Sequence, residues 1–163
     1  MLKIALACGD SNAFEISRAP RFVEAIASET ASREERDTVC CFMGDGGFQM
    51  CIEELGTIME QQAPVKMSLM NNNYLGNVRQ WQDMFWLRRK SFTKMLNPCY
   101  ELIARGYGTA YEAVTDRKDL AAAIQRMLET KGPFILECAI KEEDNVLPMT
   151  PPGMNVNDMM LEV

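Results

Sequence analysis

Continuous apolar runs alternate with amphipathic stretches along most of this chain. The runs 38–43 and 65–70 are largely apolar and stop at glycine or asparagine, and similar runs cover 109–114 and 133–140. A strand that is buried on both faces reads as a continuous apolar run. The pattern therefore predicts four strands of a parallel sheet.

Helical periodicity fills the intervals between these strands. The residues predicted to face inward from three helices are Ile52, Leu55, Ile58 and Met59; Val78, Trp81, Gln82 and Phe85; and Leu120, Ile124, Met127 and Leu128. A further helix is predicted near 100–105, and Asp116 is a suitable N-cap for the last helix. Strands joined by helices form right-handed crossovers, so the predicted fold class is α/β, a parallel sheet with helices on both faces.

The composition is compatible with one such domain. The chain has 163 residues, of which 47% are hydrophobic, and this is enough for a single core. The α/β pattern occupies 37–141, which is the predicted domain. Residues 142–163 contain Pro148, Pro151 and Pro152 and are predicted to form an irregular C-terminal arm.

Charge and residue usage argue against several functions. Seventeen basic and 23 acidic residues give a net charge of −6, which makes nucleic acid an unsuitable partner. The apolar run at 4–8 is far shorter than the roughly 20 residues of a membrane helix, so no membrane association is predicted.

The use of cysteine and histidine is also informative. Six cysteines without a CxxC pair indicate reduced thiols in a cytoplasmic protein. The absence of histidine excludes Ser-His-Asp triads and His-ligated metals, so catalysis has to rest on carboxylates, amides or a cofactor.

The segment Gly44-Asp45-Gly46-Gly47 places one carboxylate at the end of the first predicted strand, just before a helix. Glycines let the backbone approach a ligand and the first amides of a helix point outwards, as in a phosphate cradle. Ligands of parallel sheets bind at the carboxyl ends of the strands. The sequence therefore predicts a phosphate-binding edge at Asp45.

A divalent cation is needed at this edge because no Lys or Arg occurs between Arg36 and Lys66 to balance phosphate charge. The second strand delivers Asn71–Asn73 to the same edge as Asp45, so carboxylate and amide oxygens are available. Mg²⁺ prefers such an all-oxygen shell. The residue types leave open which asparagine is a ligand, and Asp-Gly turns alone are common.

The spacing and the flanking residues narrow the possibilities, because Asn72 ends the second strand 27 positions after Asp45. This spacing resembles the thiamine diphosphate motif, and the flanks closely resemble the large subunit of acetohydroxyacid synthase (acetolactate synthase). The segments that carry the resemblance are 44–50, 54–55, 64–66, 71–76, 78–82, 146–149 and 151–153.

The resemblance implies roles for individual residues. Asp45 and Asn72 would bind Mg²⁺ through their side chains, and Tyr74 would bind it through its backbone carbonyl. The remaining residues expected to contact thiamine diphosphate are Gly44, Gly46, Gly47, Leu75, Gly76 and Asn77. Asn77 stands where the family usually has Met. Asn71 is expected to buttress the loop without binding the metal.

The helix after this loop would line the substrate site. Trp81 matches the family tryptophan that narrows the substrate pocket and favours 2-ketobutyrate as second substrate; a core aromatic is the alternative. Arg79 and Gln80 are predicted to face solvent.

The reaction implied is the decarboxylation of pyruvate followed by condensation with a second 2-ketoacid, pyruvate or 2-ketobutyrate. This is a transferase reaction of isoleucine and valine biosynthesis. The cofactor performs its difficult bond-breaking and bond-forming steps. The full enzyme would be a homodimer, with a regulatory small subunit as a possible further partner.

The resemblance is incomplete at the amino-terminal side. Residues 1–36 form a divergent lead-in, since the stretch 16–22 has no glycine where the family has a Gly-rich segment. A truncated or frameshifted gene would explain this. The domain with the glutamate that activates the cofactor has no counterpart here, so no catalytic residue is assigned and the chain alone is predicted to be inactive.

Two other interpretations remain open. Glyoxylate carboligase, pyruvate oxidase or benzoylformate decarboxylase would share Asp45 and Asn72. Alternatively, the chain is a non-catalytic remnant with an orphaned cofactor loop.

Overall fold

The computed structural model describes residues 2–6, 38–142, 144–151 and 153–161. For 2–6 it describes the backbone alone. The stretch 16–22, at which the Gly-rich family segment is expected, lies outside the described residues.

A parallel sheet forms the centre of the described part of the chain. Its strands are β1 (Leu2–Leu6), β2 (Thr38–Gly44), β3 (Lys66–Asn71), β4 (Ala110–Val114) and β5 (Phe134–Ala139), in the order β1-β2-β3-β5-β4. All four pairings are parallel. The four predicted strands and the α/β fold class are thus confirmed. β1 adds an edge strand in 1–36, where the pattern predicts no element.

Helices connect the strands, as the periodicity predicts. They are α1 (Asp45–Met50), α2 (Glu54–Gln61), α3 (Gly76–Phe85), α4 (Tyr100–Gly106) and α5 (Leu120–Glu129). A 3-10 turn at Arg117–Asp119 precedes α5, and the Asp116 carboxylate caps it by accepting a hydrogen bond from the amide of Lys118. The Asp116 cap is therefore confirmed, although it heads the 3-10 turn.

Apolar side chains cover both faces of the sheet. Neighbouring strand residues alternate between two core clusters: Cys41 lies in one with Leu55 of α2, whereas Cys40 lies in the other with Met127 of α5. Successive side chains of a strand point to opposite faces. A strand between two helical layers is therefore covered on both faces, which is why the sequence of β2 is a largely continuous apolar run.

Three of the predicted helix faces are partly wrong. Met59 is 51% exposed on α2, and Ile124 and Leu128 are each 37% exposed on α5, where Ala123 is buried instead. A small residue at the point of closest approach lets a helix lie near the strands, so the larger neighbours move to the flanks. The third affected face is that of α3, where Phe85 is 39% exposed.

The described part of the C-terminal arm adds no strand to the sheet. Its regular features are a 3-10 turn at Val156–Asp158 and an isolated antiparallel bridge between Met149 and Met160. In the same described residues no helix is long and apolar enough to cross a membrane.

Candidate functional site

The carboxyl edge of the sheet brings the two predicted polar segments together. Gly44 at the end of β2 lies beside Met70 of β3, so Asp45 and Asn71 follow at the same level. Asp45 is the first residue of α1 and is only 1% exposed. The expectation that both segments meet at one edge is confirmed.

Both carboxylate oxygens of Asp45 accept hydrogen bonds. Oδ1 accepts from the amide of Gly46 at 3.1 Å, and Oδ2 accepts from Nδ2 of Asn97 at 2.6 Å. None of the ion pairs among the described residues involves Asp45. Both donors are neutral, so these contacts bring no positive charge to the buried carboxylate, and a cation beside it would be favourable.

Side-chain hydrogen bonds shape the asparagine loop after β3. The Asn71 amide nitrogen donates to Oε1 of Glu137 at 2.7 Å, and its oxygen accepts from the amide of Asn73 at 3.1 Å. Oδ1 of Asn72 accepts from the amide of Tyr74 at 3.1 Å. Asn73 has a φ of 58°, a left-handed conformation that asparagine tolerates better than most residues.

Segment 93–95 holds the far side of this loop. The amide of Met95 donates to the carbonyl of Asn73, and the amide of Leu75 donates to the carbonyl of Thr93, each at 2.8 Å. Tyr74 lies between these bonds, in an antiparallel bridge with Lys94. Backbone groups alternate in direction along an extended chain, so the carbonyl of Tyr74 points away from 93–95.

Two glycines permit close contacts around the loop. A Cβ atom at Gly46 would lie 2.6 Å from Cδ2 of Leu75 and 3.2 Å from Sδ of Met95. A Cβ atom at Gly76 would lie 3.0 Å from Nδ2 of Asn72. Gly46 and Leu75 are therefore brought together, as are Gly76 and Asn72. Gly44 has no such neighbour within 4 Å, and Gly47 is a half-buried residue of α1.

The oxygen atoms of Asp45 and of the asparagine loop are of the kind that a hard divalent cation binds. Asp45 Oδ2, Asn71 Oδ1 and Asn73 Oδ1 lie 2.6, 2.8 and 3.2 Å from a single atom, Nδ2 of Asn97. One carboxylate with neutral oxygens is a donor set that Mg²⁺ accepts. The described residues contain no group of three or more His, Cys, Asp or Glu side chains for a different kind of metal site. Within the part of the chain that the structure describes, the side chains of Asp45 and Asn72 share no hydrogen-bond partner.

The first lysine after the glycine segment does not serve the site. Lys66 begins β3 and therefore lies at the opposite, amino edge of the sheet. Its ammonium group donates to the carbonyls of Thr130 at 2.5 Å and Gly132 at 2.6 Å, and burial lowers its pKa. Lys66 anchors the end of α5, so the phosphate-binding lysine of a P-loop is absent from this position.

Sequence reasoning missed two polar residues at the site, Asn97 and Glu137. Glu137 is a lone acidic residue in an apolar strand, and such a residue usually signals a buried partner. Here the partners are Asn71 and the hydroxyl of Tyr111, and burial together with Glu137 raises the pKa of that hydroxyl. Asn97 stands in an irregular segment before α4 and carries no comparable signal.

A groove of about 610 Å³ runs along one side of α3. Trp81 lines it, with its ring 5.5 Å from that of Phe85 in an edge-to-face contact. The other lining residues are Asn77, Val78, Gln82, Trp86, Arg89 and Ser91. Asn77 and Trp81 thus share one groove, and Trp81 is half-buried instead of lying in the core.

The opposite side of α3 contradicts the prediction that Arg79 and Gln80 face solvent. They are 2% and 3% exposed, because the C-terminal arm lies over them. Nη2 of Arg79 donates to Oδ1 of Asn145 at 3.2 Å, and Gln80 is hydrogen-bonded to Val146. The predicted inward residue Phe85 is 39% exposed. The polar face of α3 is buried because the arm offers it backbone hydrogen-bond partners.

Comparison with known sequences places these features in a family. The model of the thiamine pyrophosphate enzyme C-terminal TPP binding domain matches residues 3–138. The chain is 40% identical over 125 residues to the large subunit of acetolactate synthase isozyme 2 from Escherichia coli, covering 76% of this chain and 23% of that protein. It is also 40% identical over 127 residues to the chloroplastic acetolactate synthase 2 of Nicotiana tabacum, covering 73% of this chain and 19% of that protein.

Solved structures agree on the fold. Benzoylformate decarboxylase from Polynucleobacter necessarius superposes with a TM-score of 0.63 at 20% identity, covering 76% of this chain and 22% of the other. The thiamine diphosphate-dependent 4-hydroxybenzoylformate decarboxylase of Rhodococcus jostii gives a TM-score of 0.63 at 21% identity, covering 73% of this chain and 23% of the other. The chain thus spans about a fifth of these relatives. Its sequence match and its sheet together show that it belongs to the thiamine pyrophosphate enzymes, as their C-terminal TPP-binding domain.

Proposed function

We propose that the chain is the cofactor-binding part of an acetolactate synthase large subunit, holding thiamine diphosphate through Mg²⁺. The observation that carries this proposal is Asp45, a buried carboxylate without an ion-pair partner among the described residues, at the carboxyl edge of the sheet. The 40% identity to acetolactate synthase large subunits supports the choice of enzyme.

In the proposed site, Asp45 and Asn72 contribute side-chain oxygens to the cation and Tyr74 contributes its carbonyl. The bridge to Lys94 supports the role of Tyr74, because it directs that carbonyl away from 93–95. Asn71, held by Glu137 and Asn73, buttresses the loop.

The diphosphate would be bound by Gly44, Gly46, Gly47, Leu75 and Gly76. Because Gly46 has no side chain, Leu75 can approach it closely, which brings the two segments of the proposed diphosphate site together. Asn77 and Trp81 line the groove beside it, where the 2-ketoacid substrates would enter.

When bound, the cofactor would supply a carbon nucleophile for the keto group of pyruvate and would stabilise the charge left by loss of carbon dioxide. The residues of this chain bind and orient it. Since the chain spans about a fifth of its relatives, we propose that turnover requires the rest of a large subunit in a homodimer, with a regulatory small subunit as a further partner. The product, formed from pyruvate and a second 2-ketoacid (pyruvate or 2-ketobutyrate), would serve isoleucine and valine synthesis in the cytoplasm.

Calorimetric titration with thiamine diphosphate, with and without Mg²⁺, tests the proposal. We expect Mg²⁺-dependent binding by the wild-type chain and a loss of more than about 100-fold in affinity for Asp45→Ala, since one hard anionic ligand disappears. Asp116→Ala is the matched control, because that carboxylate lies at the exposed 3-10 turn far along the chain. Retained Mg²⁺-dependent affinity in Asp45→Ala would contradict the site. If neither the wild-type chain nor Asp45→Ala gave a heat of binding, the result would favour a non-catalytic remnant.

A further inference from the structure

The side chain of Asn97 lies at the centre of the oxygen cluster. Its nitrogen is 2.6 Å from Asp45 Oδ2, 2.8 Å from Asn71 Oδ1 and 3.2 Å from Asn73 Oδ1. An amide nitrogen has only two hydrogens, so three acceptors exceed what it can satisfy separately. Three oxygens therefore converge on one N–H donor group.

The orientation of the Asn97 amide is set from its other end. Its Oδ1 accepts a hydrogen bond from Nε2 of Gln49 at 2.6 Å. Gln49 belongs to α1, the helix that begins at Asp45, and its Nε2 also lies 3.5 Å from the hydroxyl of Tyr100. The amide oxygen of Asn97 is thereby directed towards α1, and its nitrogen has to face the oxygen cluster.

The partners of Asn97 are themselves held in place. Glu137 on β5 accepts from Nδ2 of Asn71, which leaves Oδ1 of Asn71 facing Asn97. Tyr111 on β4 donates to the other carboxylate oxygen of Glu137. The chain of hydrogen bonds runs from β4 through β5 and β3 to the end of β2, so four strands support the position of the cluster.

Asp45 is the residue that needs Asn97 as a hydrogen-bond donor. A carboxylate that is 1% exposed has lost nearly all of its water, and its burial is costly unless hydrogen-bond donors replace that water. The amide of Gly46 is one donor and Asn97 is the other. Without Asn97, Asp45 would also face the amide oxygens of Asn71 and Asn73 with no donor between them.

We propose that Asn97 is a positioning residue for the divalent cation: by tying the carboxylate of Asp45 to the supporting oxygens of Asn71 and Asn73, it fixes that ligand against the asparagine loop before the cation binds. The identity of the cation as the Mg²⁺ of a thiamine diphosphate site rests on the proposed function. The role of Asn97 among these oxygens does not, so it can be tested without cofactor.

The variant Asn97→Asp replaces the central donor by a second carboxylate next to Asp45. We expect its melting temperature in EDTA to fall by roughly 5 °C or more, since like charges repel strongly when they are buried. Millimolar Mg²⁺ at constant ionic strength should restore most of this loss, whereas the wild type should change little. Thermal unfolding without thiamine diphosphate measures both effects.

Gln125→Glu is the matched control because it also turns an amide into a carboxylate beside an acidic partner. Nε2 of Gln125 donates to Oε1 of Glu129 at 2.7 Å, but both residues are exposed on α5. Its melting temperature should shift by no more than about 2 °C, with or without Mg²⁺. An equal deficit of Asn97→Asp in EDTA and in Mg²⁺ would overturn the proposal.

Asn97→Ala provides a second measurement that adds no charge. Its Mg²⁺-dependent affinity for thiamine diphosphate should fall roughly tenfold, as is usual when a supporting residue of a metal site is removed. Unchanged affinity in Asn97→Ala would also overturn the proposal. Rescue of Asn97→Asp by Mg²⁺ in a chain that binds no thiamine diphosphate would instead reject the proposed function and keep the role of Asn97.

Discussion

The side-chain amide of Gln80 pairs with the backbone of Val146 in both directions. Its Nε2 donates to the carbonyl of Val146 at 3.0 Å, and its Oε1 accepts from the amide of Val146 at 2.8 Å. The side chain of Gln80 thus pairs with both backbone groups of Val146, as a neighbouring strand would, and holds the C-terminal arm against α3. Because α3 begins at Gly76, directly after the asparagine loop, the arm and the proposed cofactor site share one supporting helix.

Removing this pair should free the arm locally. In Gln80→Ala, the amide and carbonyl of Val146 lose their partner, and we expect a loss of about 1–3 kcal/mol in the free energy of unfolding. Hydrogen exchange followed by mass spectrometry should show faster exchange at Val146. Gln125→Ala, which removes an exposed amide, is the control and should leave that exchange rate unchanged. Equal protection of Val146 in Gln80→Ala and wild type would show that other contacts hold the arm.

A methyl group at Gly46 should disturb the loop. The added Cβ would lie 2.6 Å from Cδ2 of Leu75, so Leu75 would have to move, and we expect Gly46→Ala to lower the free energy of unfolding by about 1–3 kcal/mol. Gly56→Ala is a matched control within α2, where the nearest atom to the new Cβ is Cε1 of Tyr107 at 3.9 Å.

The control should be neutral or stabilising by up to about 1 kcal/mol, since alanine favours a helix more than glycine does. Urea denaturation of the two variants gives the comparison. If both variants lost stability equally, the close approach of Leu75 to Gly46 would not be the cause.

Alkaline pH should destabilise the fold through Tyr100. Burial raises the pKa of this phenol from 10.0 to about 12, and the charges of Asp45 and Glu137 add to the shift. The folded chain therefore keeps a proton that the unfolded chain releases near pH 10. This contribution to stability is complete below pH 10 and is lost as the pH rises towards 12.

Tyr100→Phe removes this titration and tests its sign. Between pH 10 and 12 the stability of the variant should fall less steeply than that of the wild type, whereas below pH 9 the difference between the two should stay constant. Urea denaturation at a series of pH values measures both slopes. Parallel slopes above pH 10 would mean that Tyr100 does not supply the proton.

The local sequence was sufficient to predict most of the strands and to place Asp45 and the asparagine loop at one edge of the sheet. Apolar runs that stop at Gly44 and at Asn71 are enough to place Asp45 and the asparagine loop at the same edge, because parallel strands end together. The absence of basic residues near Asp45 then predicts a cation at this edge. Helix faces were harder: on α5 the pattern favours Ile124, yet the small Ala123 takes the buried position.

By itself, the sequence determined the α/β order, the position of Asp45 and the family, since each of these depends on residues that are close along the chain. Only the tertiary structure decided the partners of these residues. Asn97 reaches Asp45 across 52 positions, and Gln80 reaches Val146 across 66. Such contacts follow from how loops and the arm return over the sheet, which local periodicity does not encode. For Asp45 the result is a buried carboxylate whose closest donor, Asn97, carries no signal in the sequence.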